Sequence, residues 1–372
     1  MKIGIDIRIL SFHHNKAGIY QYVYNLVSNL LSVDAQNEYI LLSTIRGFRG
    51  DEKISSHFVR RFSGRLSTLF LEKLSVPVEV LIGKINIFHG PCFFIPRSLS
   101  SKSIVTIHDL LPFRHPEFLP VKWNNAVKKS TYASVKKADS IIAVSDYTKN
   151  EIMDLFKIPG ERIRVIHNGI SPIFKQVKDQ SKINDVKAKY GVNGPYLLFV
   201  GNIEPKKNIE KLIRAFVMLR NETDYKYSLL IAGGKAWHYP KVRDLVRELQ
   251  ISNEIIFTDV VEDDELPHLY SGAELFVFPS LHEGFGIPVI EAMSCGTPVV
   301  TSNATSIPEI AGDAALLIDP SSESEIAEAM HKILSSSIIR GQLIKKGIER
   351  AKKFSWEKTS LETLKLYKEN YD

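Results

Sequence analysis

The sequence predicts an α/β protein built from two doubly wound parallel-sheet domains, and three observations lead there. At 372 residues the chain is long for a single core, so two domains of ordinary size are expected. Short apolar strands alternate with helical patterns throughout, which implies parallel sheet covered on both faces. A polar stretch at residues 173–190, IFKQVKDQSKINDVKAKY, lacks a strong apolar stripe and separates two such runs. The expected division is therefore 1–175, 190–353 and a helical end at 354–372.

In the first half, KIGIDI at residues 2–7 reads as a strand. A helical stripe follows, with Ile19, Val23, Leu26 and Leu30 on one face. Further strands are expected at 39–43, 85–88 (INIF), 103–108 (SIVTIH), 140–145 (SIIAVS) and 163–166 (IRVI). Helical patterns separate them at 66–74, 121–137 and 147–156. The alternation restarts with strand YLLFVG, a helix at 208–220, a strand at 227–232, a helix at 242–249, a strand at 255–258 and a helix at 264–270. A strand at 275–279, a helix after a glycine-bearing turn, and strands at 298–302 and 316–318 complete that half. The tail, 323–371, is mostly helical, with a break at KKFSWEK. Its last helix carries Leu361, Leu364, Leu366 and Tyr367, apolar residues that need a core; packing back on the first domain would supply one.

With 44% hydrophobic and 24% charged residues the composition is that of a folded globular protein. The beginning, MKIGIDIRIL, is interrupted by Asp6 and Arg8 and reads as neither signal peptide nor membrane span, so the cytoplasm is the expected location. The two cysteines, Cys92 and Cys295, lack a CxxC partner, which argues against a zinc site or a disulfide framework. Up to Lys175 there are 24 Lys+Arg against 14 Asp+Glu, and beyond it 24 against 28, so the basicity belongs to the first half. Arg60, Arg61 and Arg65 lead into Leu66, Leu69, Phe70 and Leu71, and residues 121–137 carry five lysines without an acid. Such segments suit an anionic membrane surface, at the inner face of a plasma membrane, and equally suit ordinary helix surface; both readings stand. Nucleic acid is not expected, since no binding motif accompanies the charge.

Ligands of open parallel sheets sit at the carboxyl ends of strands, so polar residues just after strands are weighed first. The stretch at 278–298, FPSLHEGFGIPVIEAMSCGTP, places Glu283 and Glu291 on either side of a turn containing Gly284 and Gly286. A short helix is expected to begin at Ile287 or Pro288. Its exposed N–H groups and positive dipole end suit a phosphate, while carboxylates accept hydrogen bonds from sugar hydroxyls. VGNIEPKKN ends a strand at Gly201 and sets Lys206 and Lys207 before a helix, with Asn208 near its cap; two ammonium groups there suit a diphosphate or are a solvated surface pair. His108 and Asp109 follow the strand SIVTI; a lone histidine at a strand end is more often structural. Gly18 precedes the first long helix, an ordinary place for a glycine. EDDE at 262–265 resembles a metal cluster but runs into a helix start, where acids cap and stay solvated. No GxGxxG follows a strand in either half and there is no Walker A sequence, which argues against a nicotinamide enzyme and a P-loop enzyme.

Taken together, VGNIEPKKN, FVFPSLHEGFGIPVIEAMSCGTPVV and SIPEIAGDAALLIDP closely resemble the retaining glycosyltransferases of family 4. AGIYQY, TIHD, AVSDYTK and HNGI extend the resemblance to nearly the whole chain. It implies the GT-B fold of two facing Rossmann-like domains, the first binding acceptor and the second nucleotide sugar, with the last helix crossing back to the first. By that resemblance Glu283 contacts the donor sugar and Glu291 the nucleotide ribose, while Phe285, Gly286 and Ile287 line the sugar and phosphates with backbone amides. Lys207 neutralises the diphosphate beside Lys206 and Gly201, His108 lies near the sugar and acceptor, and Gly18 belongs to a loop over the phosphates. The chain has Lys206-Lys207 where many relatives have Arg-Lys, and Gly18-Ile19-Tyr20-Gln21-Tyr22 where many have GIGRY, so it lacks the second glycine of that pattern. The resemblance implies transfer of a hexose, with GDP-mannose the first donor, to a glycan or lipid-linked glycan in polysaccharide or lipopolysaccharide assembly, without cofactor or metal. A GT-B nucleotide-sugar epimerase and a non-catalytic carbohydrate- or membrane-binding protein are the alternatives.

Overall fold

A computed structural model describes residues 1–11, 18–44, 59–62 and 76–372. The chain divides into two units, Met1–Gly169 together with Ser355–Asp372, and Ile170–Phe354. The division falls before the polar stretch at 173–190, and that stretch belongs to the second unit. Its residues Gln180–Lys189 form a helix that buries only Ile183, which explains why no apolar stripe announces it. Asp179 caps this helix by accepting from the Ser181 and Lys182 amides.

The first unit is built on a seven-stranded parallel sheet. Its strands are β1 (Lys2–Asp6), β2 (Glu38–Thr44), β3 (Val59–Phe62), β4 (Ile87–Gly90), β5 (Lys102–Ile107), β6 (Ser140–Ala143) and β7 (Ile163–Val165). They lie in the order β3-β2-β1-β4-β5-β6-β7. Strand β4 is buried along its whole length, as expected of a central strand covered by helices on both faces. It begins two residues later than INIF suggests and so takes in His89, which is fully buried. The edge strand β3 is not foreseen, because VRRF has two arginines in four residues; Arg60 and Arg61 thus lie on a strand paired to β2 rather than on a basic helical segment. The helix expected at 66–74 and Arg65 lie outside the described residues. Val76–Ile82 is a further helix not foreseen, and the lysine-rich helix Val121–Lys137 forms as expected.

Helix Trp356–Tyr371 packs within the first unit. Tyr367 is fully buried and its hydroxyl lies 2.6 Å from His89 Nδ1, while Thr359 Oγ1 donates to the His167 carbonyl at 2.7 Å. Gly169 lets the helix start come close: a Cβ there would stand 2.1 Å from the Trp356 nitrogen.

The second unit holds a six-stranded parallel sheet of β8 (Tyr196–Val200), β9 (Ser228–Ala232), β10 (Ile255–Phe257), β11 (Leu275–Phe278), β12 (Val299–Ser302) and β13 (Leu316–Ile318). Their order, β10-β9-β8-β11-β12-β13, reverses direction between β8 and β11. Those two strands are neighbours, paired through Leu197 with Leu275 and Leu198 with Phe276. Their following loops therefore emerge side by side at the carboxyl edge, where ligands of open α/β sheets bind. Both strands are almost wholly apolar and buried beneath these loops. Both cysteines are free, and burial pushes the Cys92 thiol up to about 12. No helix among the described residues is long and apolar enough to cross a membrane.

Candidate functional site

The loop after β8 starts at Gly201, whose φ of +152° is a glycine conformation, and closes in the 3-10 turn Pro205–Lys207. Asn208 follows at φ +60°. The sequence suggests a helix cap there, yet its side chain makes no capping bond. It donates instead to the Pro279 carbonyl at 3.1 Å and the Pro320 carbonyl at 2.7 Å, tying together the loops after β8, β11 and β13. The Leu281 amide adds a bond to the Lys206 carbonyl at 2.7 Å. These ties bring Lys207 against the loop after β11.

Lys207 Nζ donates to Glu283 Oε1 at 2.6 Å and lies 4.8 Å from the centre of the Phe278 ring. Both side chains are largely buried, at 12% and 10% exposure. Ser280 Oγ stands 2.6 Å from the same carboxylate oxygen. The backbone of Glu283 is clamped as well: its amide donates to Thr305 Oγ1 at 3.1 Å and its carbonyl accepts from Ser306 Oγ at 2.9 Å. Burial opposes ionisation of Glu283, but the Lys207 and Lys206 charges, with the hydrogen bonds from Lys207 and Ser280, outweigh it and hold the carboxyl down to about 2. Glu283 is thus an anion already engaged by an ammonium and a hydroxyl, a donor set that suits a sugar hydroxyl better than a metal ion.

Past Glu283 the chain turns at Gly286, φ +97°, into helix Ile287–Ser294, the start foreseen from Pro288. The φ demands glycine, and a Cβ on Gly286 would also stand 2.5 Å from Ile307 Cδ1, so that side chain would have to move. Phe285 is buried edge-on against Phe354 at 5.6 Å, which fixes the turn from beneath. In the first turn Pro288 has no N–H and the Val289 amide donates to the Gly286 carbonyl at 3.0 Å, which leaves the Ile287 amide outside the intrahelical ladder at the helix start.

Glu291 stands one turn into the helix and accepts from Tyr270 Oη at 2.9 Å. Burial pushes its carboxyl up to about 7, against the Tyr270 hydrogen bond and with help from the Asp263 charge. The two glutamates therefore differ in kind: Glu283 is a fixed anion and Glu291 titrates near neutrality. Glu265 of the acidic run is bound by Lys189 at 2.7 Å and Tyr190 at 2.6 Å, and so is engaged rather than solvated.

His108 and Gly18 belong to the first unit. His108 follows β5, with Nε2 2.8 Å from the Pro91 carbonyl and its ring edge-on to Tyr22 at 4.6 Å. Burial lowers its pKa. Gly18 opens helix Gly18–Val33 and is exposed; a Cβ there would meet nothing within 4 Å, and residues 12–17 before it lie outside the described ones. Of the residues singled out from sequence, the structure joins Lys207 to Glu283 directly and sets Gly201, Lys206, Phe285, Gly286 and Ile287 in the same two loops. Glu291 is tied to Tyr270. Ser280, Thr305, Ser306 and the Asn208 ties were not foreseen; the signal for Thr305 and Ser306 was their place just after β12, at another strand end.

Comparison with known proteins shows the family and the fold. The family model described as "Glycosyl transferases group 1" matches residues 181–350, and "Glycosyltransferase Family 4" matches residues 17–173. The chain is 36% identical over 283 residues to O-antigen chain mannosyltransferase B of Escherichia coli, covering 76% of this chain and 74% of that protein. It is 31% identical over 268 residues to serotype-specific mannosyltransferase WbdA of Escherichia coli, covering 70% of this chain and about a third, 32%, of that longer protein. Among solved structures, sucrose-phosphate synthase of Thermosynechococcus elongatus superposes with a TM-score of 0.78 at 20% identity over 99% of this chain and 98% of that one. Anabaena Alr3699/HepE in complex with UDP-glucose gives 0.77 at 16% identity over 99% and 100%.

Proposed function

The chain belongs to the family 4 glycosyltransferases of GT-B fold, and from that premise we propose that it transfers mannose from GDP-mannose to a hydroxyl of a glycan or lipid-linked glycan. The observation that carries the reading is the buried Lys207–Glu283 pair, 2.6 Å apart, at the carboxyl ends of adjacent strands beside a glycine-capped helix start. The names of the similar O-antigen enzymes support mannose as the sugar.

In this reading the diphosphate lies between the Lys207 ammonium and the Ile287 amide at the start of helix Ile287–Ser294. Lys207 has three N–H donors and can hold a phosphate oxygen while keeping Glu283. Bond breaking at the sugar's anomeric carbon puts negative charge on the leaving nucleoside diphosphate. A preorganised ammonium and backbone donors in a dry site stabilise that charge, a contribution of about 3–4 kcal/mol for one such donor. Glu283 accepts from hydroxyls of the donor sugar and Glu291 from the ribose. The anomeric C–O bond to phosphate breaks, the acceptor oxygen bonds to the same face of that carbon, and the acceptor's proton passes to the departing phosphate oxygen. Configuration is retained, and no metal is needed for the step. The reaction belongs at the cytoplasmic face of a membrane carrying a lipid-linked acceptor, a place that the basic first half supports.

The test is a panel of nucleotide sugars offered with and without lipid-linked acceptor, followed by nucleoside diphosphate release and the anomeric configuration of the product. Acceptor-dependent release from GDP-mannose with retention is expected. Inverted product, or altered sugar nucleotide formed without acceptor, would contradict the reading.

A further inference from the structure

The first unit fixes the chemistry that His108 can offer. Its ring is held at three points: Nε2 on the Pro91 carbonyl at 2.8 Å, the Tyr22 ring edge-on at 4.6 Å, and the Phe93 ring edge-on at 5.4 Å. A carbonyl can only accept, so Nε2 must carry the hydrogen. In a neutral imidazole that leaves Nδ1 with a lone pair and no hydrogen. Among the described residues the structure gives Nδ1 no hydrogen-bond partner, and His108 is half-buried.

Tyr22 is itself immobilised. It is fully buried on helix Gly18–Val33, and its hydroxyl lies 3.2 Å from Thr106 Oγ1. Thr106 is two residues before His108, on the same side of the chain by strand alternation. The same Thr106 oxygen is 2.8 Å from His89 Nε2, and His89 Nδ1 is 2.6 Å from Tyr367 Oη on the terminal helix. All four groups are fully buried, so a continuous hydrogen-bonded chain backs the ring that His108 leans on.

We propose that Tyr22 and the Pro91 carbonyl are positioning groups that lock His108 as the Nε2-protonated tautomer, so that Nδ1 meets the substrate only as a hydrogen-bond acceptor. The partner it selects is then a hydroxyl, as on a sugar ring, and a phosphate oxygen, which has no hydrogen to give, is rejected. This rests on the sugar-transfer reading for the identity of the hydroxyl but not for the tautomer. The lowered pKa of His108, caused by burial against the opposing effects of Pro91 and Asp109, keeps the ring neutral and agrees with it.

The tautomer is read without turnover. The full chain is labelled with 15N at histidine, and the His108 ring signals are assigned by their loss in His108→Gln. At pH 7 the wild type and Tyr22→Phe, which keeps the ring, are expected to show the Nε2-protonated pattern. Tyr22→Leu is expected to shift the His108 signals toward a mixture of tautomers. In transfer assays His108→Ala should raise the donor KM about tenfold, the worth of one neutral hydrogen bond. His108→Asn, which places an acceptor oxygen near the Nδ1 position, should recover most of that loss. An Nδ1-protonated or doubly protonated ring at pH 7, or a folded Tyr22→Leu with unmoved His108 signals, would overturn the proposal. If Tyr22→Leu does not fold, the ring pattern in wild type and Tyr22→Phe decides alone. Failure of every nucleotide sugar to react would instead count against the transferase reading and leave the tautomer assignment standing.

Discussion

Replacing Lys207 by methionine removes the ammonium while keeping much of the side-chain volume, and its consequences can be worked through from the site. Glu283 would remain, largely buried, with Ser280 as its nearest remaining donor. Breaking a buried ion pair from one side typically costs about 3–5 kcal/mol, because the surviving charge is left uncompensated. In the wild type the Glu283 carboxyl is held down to about 2 from 4.5, so its pair contributes stability that is full above pH 4.5 and is lost as pH falls toward 2. In Lys207→Met only Lys206 and Ser280 still oppose the burial, so the carboxyl rises from its wild-type value and the variant loses most at neutral pH and least in acid. Urea unfolding at pH 7 and pH 4 is expected to show the gap between wild type and variant narrowing on acidification. Lys207→Met/Glu283→Gln, which removes both charges, should regain most of the stability at pH 7 but none of the activity. A gap independent of pH, or a double variant no more stable than Lys207→Met, would refute the pairing as the source of the effect.

Glu291, pushed up to about 7, should bind the ribose only when ionised, so donor KM is expected to fall as pH rises through 7. A carboxyl whose folded pKa is raised destabilises the fold progressively above the unfolded value, so Glu291→Gln should be at least as stable as wild type at pH 8 by urea unfolding while binding donor less tightly. Asn208→Ala deprives the buried Pro279 and Pro320 carbonyls of their donor, and a loss of about 2–3 kcal/mol is expected in the same assay. Gly286→Ala is strained by the φ of +97° and displaces Ile307 Cδ1; a lowered melting temperature and weakened nucleoside diphosphate binding by calorimetry are expected together.

The alternation of strands and helices was legible because the central strands are apolar on both faces, and the same property blurred their ends. INIF could slide by two residues without exposing a polar group, and with it the buried His89 passed unnoticed. The helix Gln180–Lys189 was hidden for the opposite reason, since it buries only Ile183, and the edge strand Val59–Phe62 because two of its four residues are arginines. In the site, Lys207 and Glu283 were found separately from their places after strands. Their contact across 76 residues depends on β8 lying beside β11, and chain order does not reveal that adjacency. Ser280, Thr305 and Ser306 escaped because hydroxyl residues are common in loops and become meaningful only once the backbone of Glu283 is seen resting on them.

The most direct measurement is nucleoside diphosphate release from GDP-mannose, with a lipid-linked glycan acceptor, by the wild type and Glu283→Ala side by side. Transfer at the Lys207–Glu283 site requires acceptor-dependent release by the wild type and a fall of at least about 100-fold in the variant. Release undiminished in Glu283→Ala, or none from any nucleotide sugar by the wild type, would show that this pair is not the seat of glycosyl transfer.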